Sequence, residues 1–263
     1  MQANKPIGIF DSGVGGLSVF KELIKSLPSE DVLYFADTAN CPYGSKSNIE
    51  VIELSKKIVD FLINKNCKTI IVACNTATAA AIDYLRSNYE IPFIGMEPAV
   101  KPAALNSKSK SIAVLATEGT FNGRLYIETS QKYAKDVNLN VKVGNRLVSI
   151  VENDLINEPE TKKYIQELLN PLIAANIDHL VLGCTHYPFL IPVLKDILPD
   201  NVEIIDPALA VVAQLKRILI KHNLINSKTE GQYDFYSSGN SSILEKMVSK
   251  ILKFDFRVNN YSI

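Results

Sequence analysis

Ile70-Ile71-Val72-Ala73-Cys74-Asn75-Thr76 has a mate in Leu180-Val181-Leu182-Gly183-Cys184-Thr185-His186. In each, a β-branched apolar run reads as a buried strand that ends on a cysteine and then turns polar. The likeness extends upstream without a gap, Phe61-Leu62-Ile63-Asn64-Lys65-Asn66 against Pro171-Leu172-Ile173-Ala174-Ala175-Asn176, each the end of a helix and a turn that feeds the strand. A further echo sets Lys110-Ser111-Ile112-Ala113-Val114-Leu115-Ala116-Thr117 against Lys5-Pro6-Ile7-Gly8-Ile9-Phe10-Asp11-Ser12. The chain therefore reads as two copies of one α/β unit, each presenting a thiol at a strand's carboxyl end.

Working outward, Ile7 to Phe10 forms a strand, and Asp11-Ser12-Gly13-Val14-Gly15-Gly16-Leu17 leads into a helix over 18–26. Strand, glycine loop and helix open a doubly wound fold. The glycine spacing is not the dinucleotide fingerprint, so no nucleotide cofactor is expected; N–H groups at a helix start suit a carboxylate equally well. A second strand, 32–36, ends in the turn-rich Asp37-Thr38-Ala39-Asn40-Cys41-Pro42-Tyr43-Gly44-Ser45, a loop of binding composition. A helix over 48–64 precedes the Cys74 strand, a helix packed by small residues follows from Ala77, and 91–96 is another strand. Residues 97–102 read as the crossing to the second half. There the pattern predicts a strand over 110–117, a helix over 123–135, a strand region over 141–148 running on to Glu152, a helix over 160–175, the Cys184 strand and a strand over 202–207. A helix over 208–222 returns the chain to the first half. The expected architecture is two similar doubly wound α/β domains related by a pseudo-twofold axis, 1–97 with 208–263 and 98–207, with the site in the cleft between them.

Composition limits the function. The 263 residues carry 28 Lys and Arg against 28 Asp and Glu, with no long run of one sign, which argues against nucleic acid and against a polybasic membrane surface. No apolar run approaches the ~20 residues of a membrane span and no secretory core precedes the first strand, so a cytoplasmic protein with a small-molecule partner is expected. The four cysteines would allow three two-disulfide frameworks, but a chain of this length in a reducing compartment needs none. Cys67 reads as a buried core residue, and Cys41 stays open.

A thiol where a strand gives way to a helix has its thiolate favoured by the dipole and by free N–H groups. A pair of merely structural thiols would not need the polar escorts Asn75-Thr76 and Thr185-His186. Cys184-x-His186 with a distant Cys74 lacks zinc spacing, so no metal is expected. Nucleophilic chemistry of the amidase kind uses one thiol and leaves the second unexplained. Inversion of a stereocentre uses both, because one group must take a proton from one face while another delivers a proton to the opposite face.

Gly8-Ile9-Phe10-Asp11-Ser12-Gly13-Val14-Gly15-Gly16-Leu17, Cys41-Pro42-Tyr43-Gly44, Ala73-Cys74-Asn75-Thr76-Ala77 and Gly183-Cys184-Thr185-His186-Tyr187-Pro188 together resemble the glutamate racemases of the bacterial aspartate/glutamate racemase family, over essentially the whole chain. The resemblance implies an isomerase without cofactor that interconverts L- and D-glutamate for peptidoglycan, commonly as a homodimer. It makes Cys74 and Cys184 the catalytic thiols, with Asp11, Glu152 and His186 around them. It places Asp11, Ser12, Tyr43, Gly44, Asn75, Thr76, Thr117, Thr120, Thr185 and His186 on the substrate. Apart from the resemblance, Asp11 and Thr117 also read as helix caps, Glu152 as a solvated helix residue and His186 as an interior histidine. Ala36 and Pro207 depart from the family pattern, which often has Gly before the aspartate and Ser after Asp206. An aspartate racemase, a cysteine-dependent amidase or decarboxylase, and a non-catalytic amino-acid-binding module are the alternatives. His186 after the threonine favours glutamate, since relatives acting on aspartate tend to carry an acid there.

Overall fold

Residues 2–263 are described by a computed structural model. In chain order the elements are β1 (Ile7–Asp11), α1 (Leu17–Ser26), β2 (Val32–Ala36), α2 (Asn48–Asn64), β3 (Thr69–Val72), α3 (Asn75–Asn88), β4 (Phe93–Gly95), α4 (Val100–Asn106), β5 (Ser111–Ala116), α5 (Glu118–Phe121), α6 (Arg124–Tyr133), β6 (Asn138–Val143), α7 (Leu147–Glu152), α8 (Pro159–Ala174), β7 (His179–Gly183), α9 (Ile191–Ile197), β8 (Glu203–Ile205), α10 (Ala208–Lys221), β9 (Tyr233–Ser237), α11 (Ser242–Ile251) and β10 (Val258–Asn260). Short 3₁₀ turns occupy Tyr43–Ser45 and Tyr187–Leu190.

The strands make two parallel sheets, ordered β10-β9-β2-β1-β3-β4 and β6-β5-β7-β8. Within the first, β2-β1-β3-β4 has the same order as the whole of the second, so the internal repeat in the sequence is a repeat of topology. One backbone detail sharpens the match. Asn66 and Asn176, aligned in the repeat, both adopt the left-handed conformation (φ 62° and 52°) that turns a helix end into its strand, and asparagine tolerates this better than most residues.

Alternation along the central strands, period two, sets the packing. Ile7, Ile9, Ile71 and Ala73 share one core with Ala113, Leu115, Leu180 and Leu182, so facing sides of the two sheets belong to one continuous apolar body. Phe10, Ile70 and Val72 point instead into a second core under α2 and α3, and Ile112, Val114 and Val181 into a third with α4 and Tyr126. The long helices form because their apolar residues return every three or four positions. In α2 these are Val51, Ile58, Val59 and Leu62, behind a capping box in which Ser47 and Glu50 satisfy each other's backbone N–H groups.

Helix α10 packs on α1 and reaches β4, and β9 and β10 then extend the first sheet beyond β2, Val32 beside Tyr233 and Ala36 beside Ser237. A buried cation anchors this return: Lys68 Nζ donates to Glu30 (2.5 Å), Leu224 O (2.9 Å) and Ala3 O (2.6 Å), while Glu30 also accepts from Asn226 N–H. Among the described residues no helix is long and apolar enough to cross a membrane.

Two expectations need correction. The strand read over 141–148 and on to Glu152 ends at Val143, and Leu147–Glu152 is helix α7. Its β-branched residues suggest a strand, but the run is Leu147-Val148-Ser149-Ile150-Val151, and burying both Leu147 and Ile150-Val151 on one side takes helical spacing. The crossing read over 97–102 becomes helical from Val100, because α4 lies against β5, β7 and α6.

Candidate active site

In a doubly wound sheet the ligand crevice lies beyond the strand ends where the winding reverses. That point falls between β1 and β3 in the first sheet and between β5 and β7 in the second. The pairs in register are Phe10 with Val72 and Ala116 with Gly183. Continuing two residues along β1 and β3 brings Ser12 beside Cys74; one further residue on β5 and β7 brings Thr117 beside Cys184. Both thiols, with Ser12 and Thr117, line a narrow, nearly closed cavity whose wall also includes Tyr43, Gly44, Asn75, Thr76, Thr185 and His186. Sequence reasoning missed two further wall residues, Pro42 and Val148.

The two thiols have different surroundings. Cys74 caps α3, its Sγ accepting the Ala77 N–H at 3.4 Å, and its thiol donates toward Ser12 Oγ at 3.8 Å. Burial first, and then the Asp11 charge, push its pKa well above the ordinary thiol value. Cys184 meets no long helix. Its Sγ lies 3.8 Å from His186 Nδ1, and the other ring nitrogen, Nε2, donates to Glu152 Oε1 at 2.6 Å. Burial alone would lower the His186 pKa, but its hydrogen bonds with Cys184, Cys41 and Glu152 and the Glu152 charge prevail and hold it well above the usual imidazole range. Burial likewise opposes ionisation of Glu152, and its hydrogen bond to His186, the His186 charge and the Val14 N–H (2.8 Å) overcome it. Both shifts favour an imidazolium paired with a carboxylate.

Asp11, Glu152 and Thr120 do not touch the cavity. They stand directly behind its wall. Asp11 is fully buried, accepts from Gly13 N–H (3.1 Å) and from Thr185 Oγ1 (3.1 Å), and so ties the first sheet's tip to the second's. Burial raises its pKa to about 6, against the lowering effect of His186. Thr120, placed on the substrate by resemblance, shares a hydrogen bond with Thr117 (2.9 Å) and donates to Gly183 O, because one turn of α5 carries it behind Thr117. Thr117 in turn shares a hydrogen bond with Thr76 (2.9 Å), a second tie between the sheets' tips. Asn75 is buried with both side-chain polar atoms unpartnered, so the wall holds a donor and an acceptor free for a ligand.

Two glycines are required by close approach. A Cβ at Gly13 would strike the Glu152 carboxylate, and one at Gly15 would strike the His186 ring. The glycine loop therefore serves to admit side chains from the opposite half, and Val14 N–H meets one of them. Asp37, at the end of β2, holds the Cys41–Gly44 loop by accepting from Tyr43 OH (2.6 Å) and Asn40 Nδ2 (2.9 Å). Ala36, one of the departures from the family pattern, lies buried in β2 opposite Asp11, and Asp37 N–H still bonds to Asp11 O. Pro207, the other, stands at the start of α10, away from the cavity. All four cysteines are free, and Cys67 is buried in the second core as expected.

The profile of the Asp/Glu/Hydantoin racemase family matches residues 7–215. The chain belongs to this racemase family. Its relatives include a glutamate racemase of Herpetosiphon aurantiacus, 40% identical over 245 residues, which cover 93% of this chain and 96% of that one. Among solved structures, a Bacillus anthracis glutamate racemase isoform superposes with a TM-score of 0.89 at 32% identity, covering 100% of this racemase and 99% of that chain. The Francisella tularensis glutamate racemase, crystallised with D-glutamate, gives 0.85 at 31% identity over 99% and 98%. The racemase is thus an isomerase with two parallel-sheet domains, as these structures have.

Proposed function

We propose that the protein interconverts L- and D-glutamate without a cofactor, by proton transfer between the substrate's α-carbon and two thiols. The observation that carries this reading is the pair of unlike cysteines, one from each repeat, on the wall of one small polar cavity. The relatives' names and the D-glutamate of the Francisella crystal support the choice of substrate.

In this reading residues 1–97 with 208–263 form the Cys74 domain and 98–207 the Cys184 domain, and the cleft between them takes the amino acid. Cys74 removes the α-proton of D-glutamate and Cys184 that of L-glutamate, each returning a proton to the other's product. His186, held by Glu152, keeps a positive charge beside the Cys184 sulfur. Cys74 has Ala77 N–H and the start of α3 for the same purpose, and the substrate's ammonium group supplies the positive charge that its buried setting lacks. Ser12, Asn75, Thr76 and Thr185 bind the α-amino and α-carboxylate groups, and Tyr43-Gly44 with Thr117 encloses the side-chain end. The product serves peptidoglycan synthesis, and the enzyme works as a cytoplasmic homodimer.

The decisive experiment follows optical rotation after dialysed, metal-free protein is mixed with L-glutamate alone. The signal is expected to decay to zero, and equally from D-glutamate. A steady signal, or one that decays only after pyridoxal phosphate or a metal is added, overturns the reading. Decay with L-aspartate at a comparable rate replaces it by the aspartate alternative.

A further inference from the structure

Cys41 is not one of the proton-transferring thiols described above, yet it hydrogen-bonds to that reaction's charged pair. Its Sγ, a Glu152 carboxylate oxygen and a His186 ring nitrogen all lie within 4.8 Å of one another. The three come from far apart in the chain: Cys41 from the loop after β2, Glu152 from the end of α7, and His186 from the turn after β7. The absence of a side chain at Gly13 makes room for them, since a Cβ there would lie 3.1 Å from Cys41 Sγ and strike Glu152. On the outer side Cys41 and Glu152 line a wide, open cavity of about 480 Å³, so the cluster can be reached from water without opening the inner cavity.

A thiol, an imidazole and a carboxylate around one reachable point are the donor set of a zinc site with an open position. We propose that Cys41, Glu152 and His186 bind a divalent ion of the Zn²⁺ class, water from the outer cavity completing a tetrahedron, and that the bound ion stops the enzyme. The inference rests on the proposed role of His186 for its consequence, though not for the binding itself. Zinc bonds of about 2.0–2.3 Å set tetrahedral donors roughly 3.3–3.6 Å apart. The His186–Glu152 contact of 2.6 Å therefore opens by under ~1 Å, and Cys41, already within 4.8 Å of both, closes by at most ~1.5 Å. As the Zn–S and Zn–N bonds form, the Cys41 thiol proton and the proton shared by His186 Nε2 and Glu152 pass to solvent. The imidazole is left with a single proton, on Nδ1, facing Cys184, and can neither accept another nor yield that one readily. Cys184 loses the imidazolium that stood beside it, while the substrate cavity stays unblocked.

The test uses the full chain, stripped of metal, titrated with Co²⁺ and then Zn²⁺. One Co²⁺ per chain is expected, with sulfur-to-cobalt absorption in the near ultraviolet that Zn²⁺ removes. Cys41→Ser should lose the absorption and bind Zn²⁺ at least ~10-fold more weakly, whereas Cys74→Ala and Cys184→Ala should keep both. Zinc should halt glutamate racemisation in the unaltered protein, and Cys41→Ser, measured against its own metal-free rate, should need at least ~10-fold more zinc. Should Cys41→Ser not fold, alkylation of the unaltered protein followed by peptide mass spectrometry gives the same answer: Zn²⁺ protects Cys41. Absorption that survives in Cys41→Ser, absorption lost in Cys184→Ala, or a Cys41 that zinc leaves fully reactive each overturns the site. Protein that binds cobalt as described but never racemises glutamate overturns the functional reading and leaves the metal site standing.

Discussion

The tips of β3 and β7 occupy the same place in two copies of one fold, yet the chain surrounds their thiols in opposite ways. Cys74 begins a helix of 14 residues and leans on backbone N–H groups and a serine. Cys184 is followed by a turn into the short 3₁₀ segment Tyr187–Leu190, with no long helix behind it, and has the His186 ring within 3.8 Å, itself paired to a carboxylate from α7. A helix start offers a fixed partial charge, and a histidine offers a full charge that can also move a proton. Duplication thus supplied two equivalent positions, and the escorts made them inequivalent. A racemase needs this much asymmetry, because its two substrates are mirror images and its own backbone is not.

The largest effect expected from breaking the pair is loss of both thiols' work when either is removed. Cys74→Ala and Cys184→Ala should each lower racemisation in both directions by roughly 10⁴-fold or more, with circular dichroism unchanged because the sites are small and buried. Retention of more than a trace of activity in either variant breaks the equivalence on which the two-thiol reading depends.

The escorts should separate what the thiols share. His186→Asn should lower activity by about 10²- to 10³-fold, and so should Asp11→Asn, but each should act on a different enantiomer's proton removal. With α-deuterated substrates, His186→Asn is expected to change the isotope effect for L-glutamate and Asp11→Asn that for D-glutamate. In D₂O at initial rates, label should enter the product while unreacted substrate stays largely unlabelled. Both variants altering the same isotope effect would show one thiol, not two, at work. Next in size, glutamate should exceed aspartate in kcat/KM by ~100-fold, since a shorter substrate leaves a buried polar group unpaired at a cost of about 3 kcal/mol; equal values would mean that the two tips do not jointly enclose the side-chain end.

The same comparison shows what could be read from sequence. The strand tips were legible because a buried parallel strand is a continuous apolar run, and its end is marked by the first polar residues, Asn75-Thr76 and Thr185-His186. The order of the sheets was legible through repetition, and the left-handed Asn66 and Asn176 mark the same turn twice. Glu152 was singled out only by resemblance, since Leu147–Glu152 is too short for its helical period to outweigh β-branched residues. Asp37, Cys41 and Pro42 were legible only as members of a turn-rich loop of binding composition, without individual roles, and Val148 gave no signal as a site residue. What places them is the approach of the Cys41–Gly44 loop and α7 to the glycine loop, and contacts of that kind have no signature along the chain.

The smallest expected effect concerns Asp11, the charge on the Cys74 side, and it is one of stability. Burial holds its folded-state pKa at about 6, above the ordinary 3.8. An acid with a raised folded pKa binds more protons in the folded than in the unfolded state between those two values, so its contribution to stability falls as pH rises through that window. The shift corresponds to about 3 kcal/mol in full, of which about 2.4 kcal/mol is lost between pH 4 and pH 7. Asp11→Asn removes the ionisation and keeps an acceptor for either Gly13 N–H or Thr185 Oγ1, though not for both, which reduces the gain to on the order of 1–2 kcal/mol at pH 7. Urea denaturation should therefore find Asp11→Asn more stable than the unaltered protein at pH 7 and no more stable at pH 4, while its activity falls. His186 and Glu152 contribute with the opposite sense to Asp11, each stabilised in its charged form by the other. His186→Asn should accordingly cost stability at pH 7, leaving the Glu152 carboxylate buried without its cation. If both substitutions move stability in the same direction at pH 7, the two tips do not differ electrostatically in the way their escorts imply.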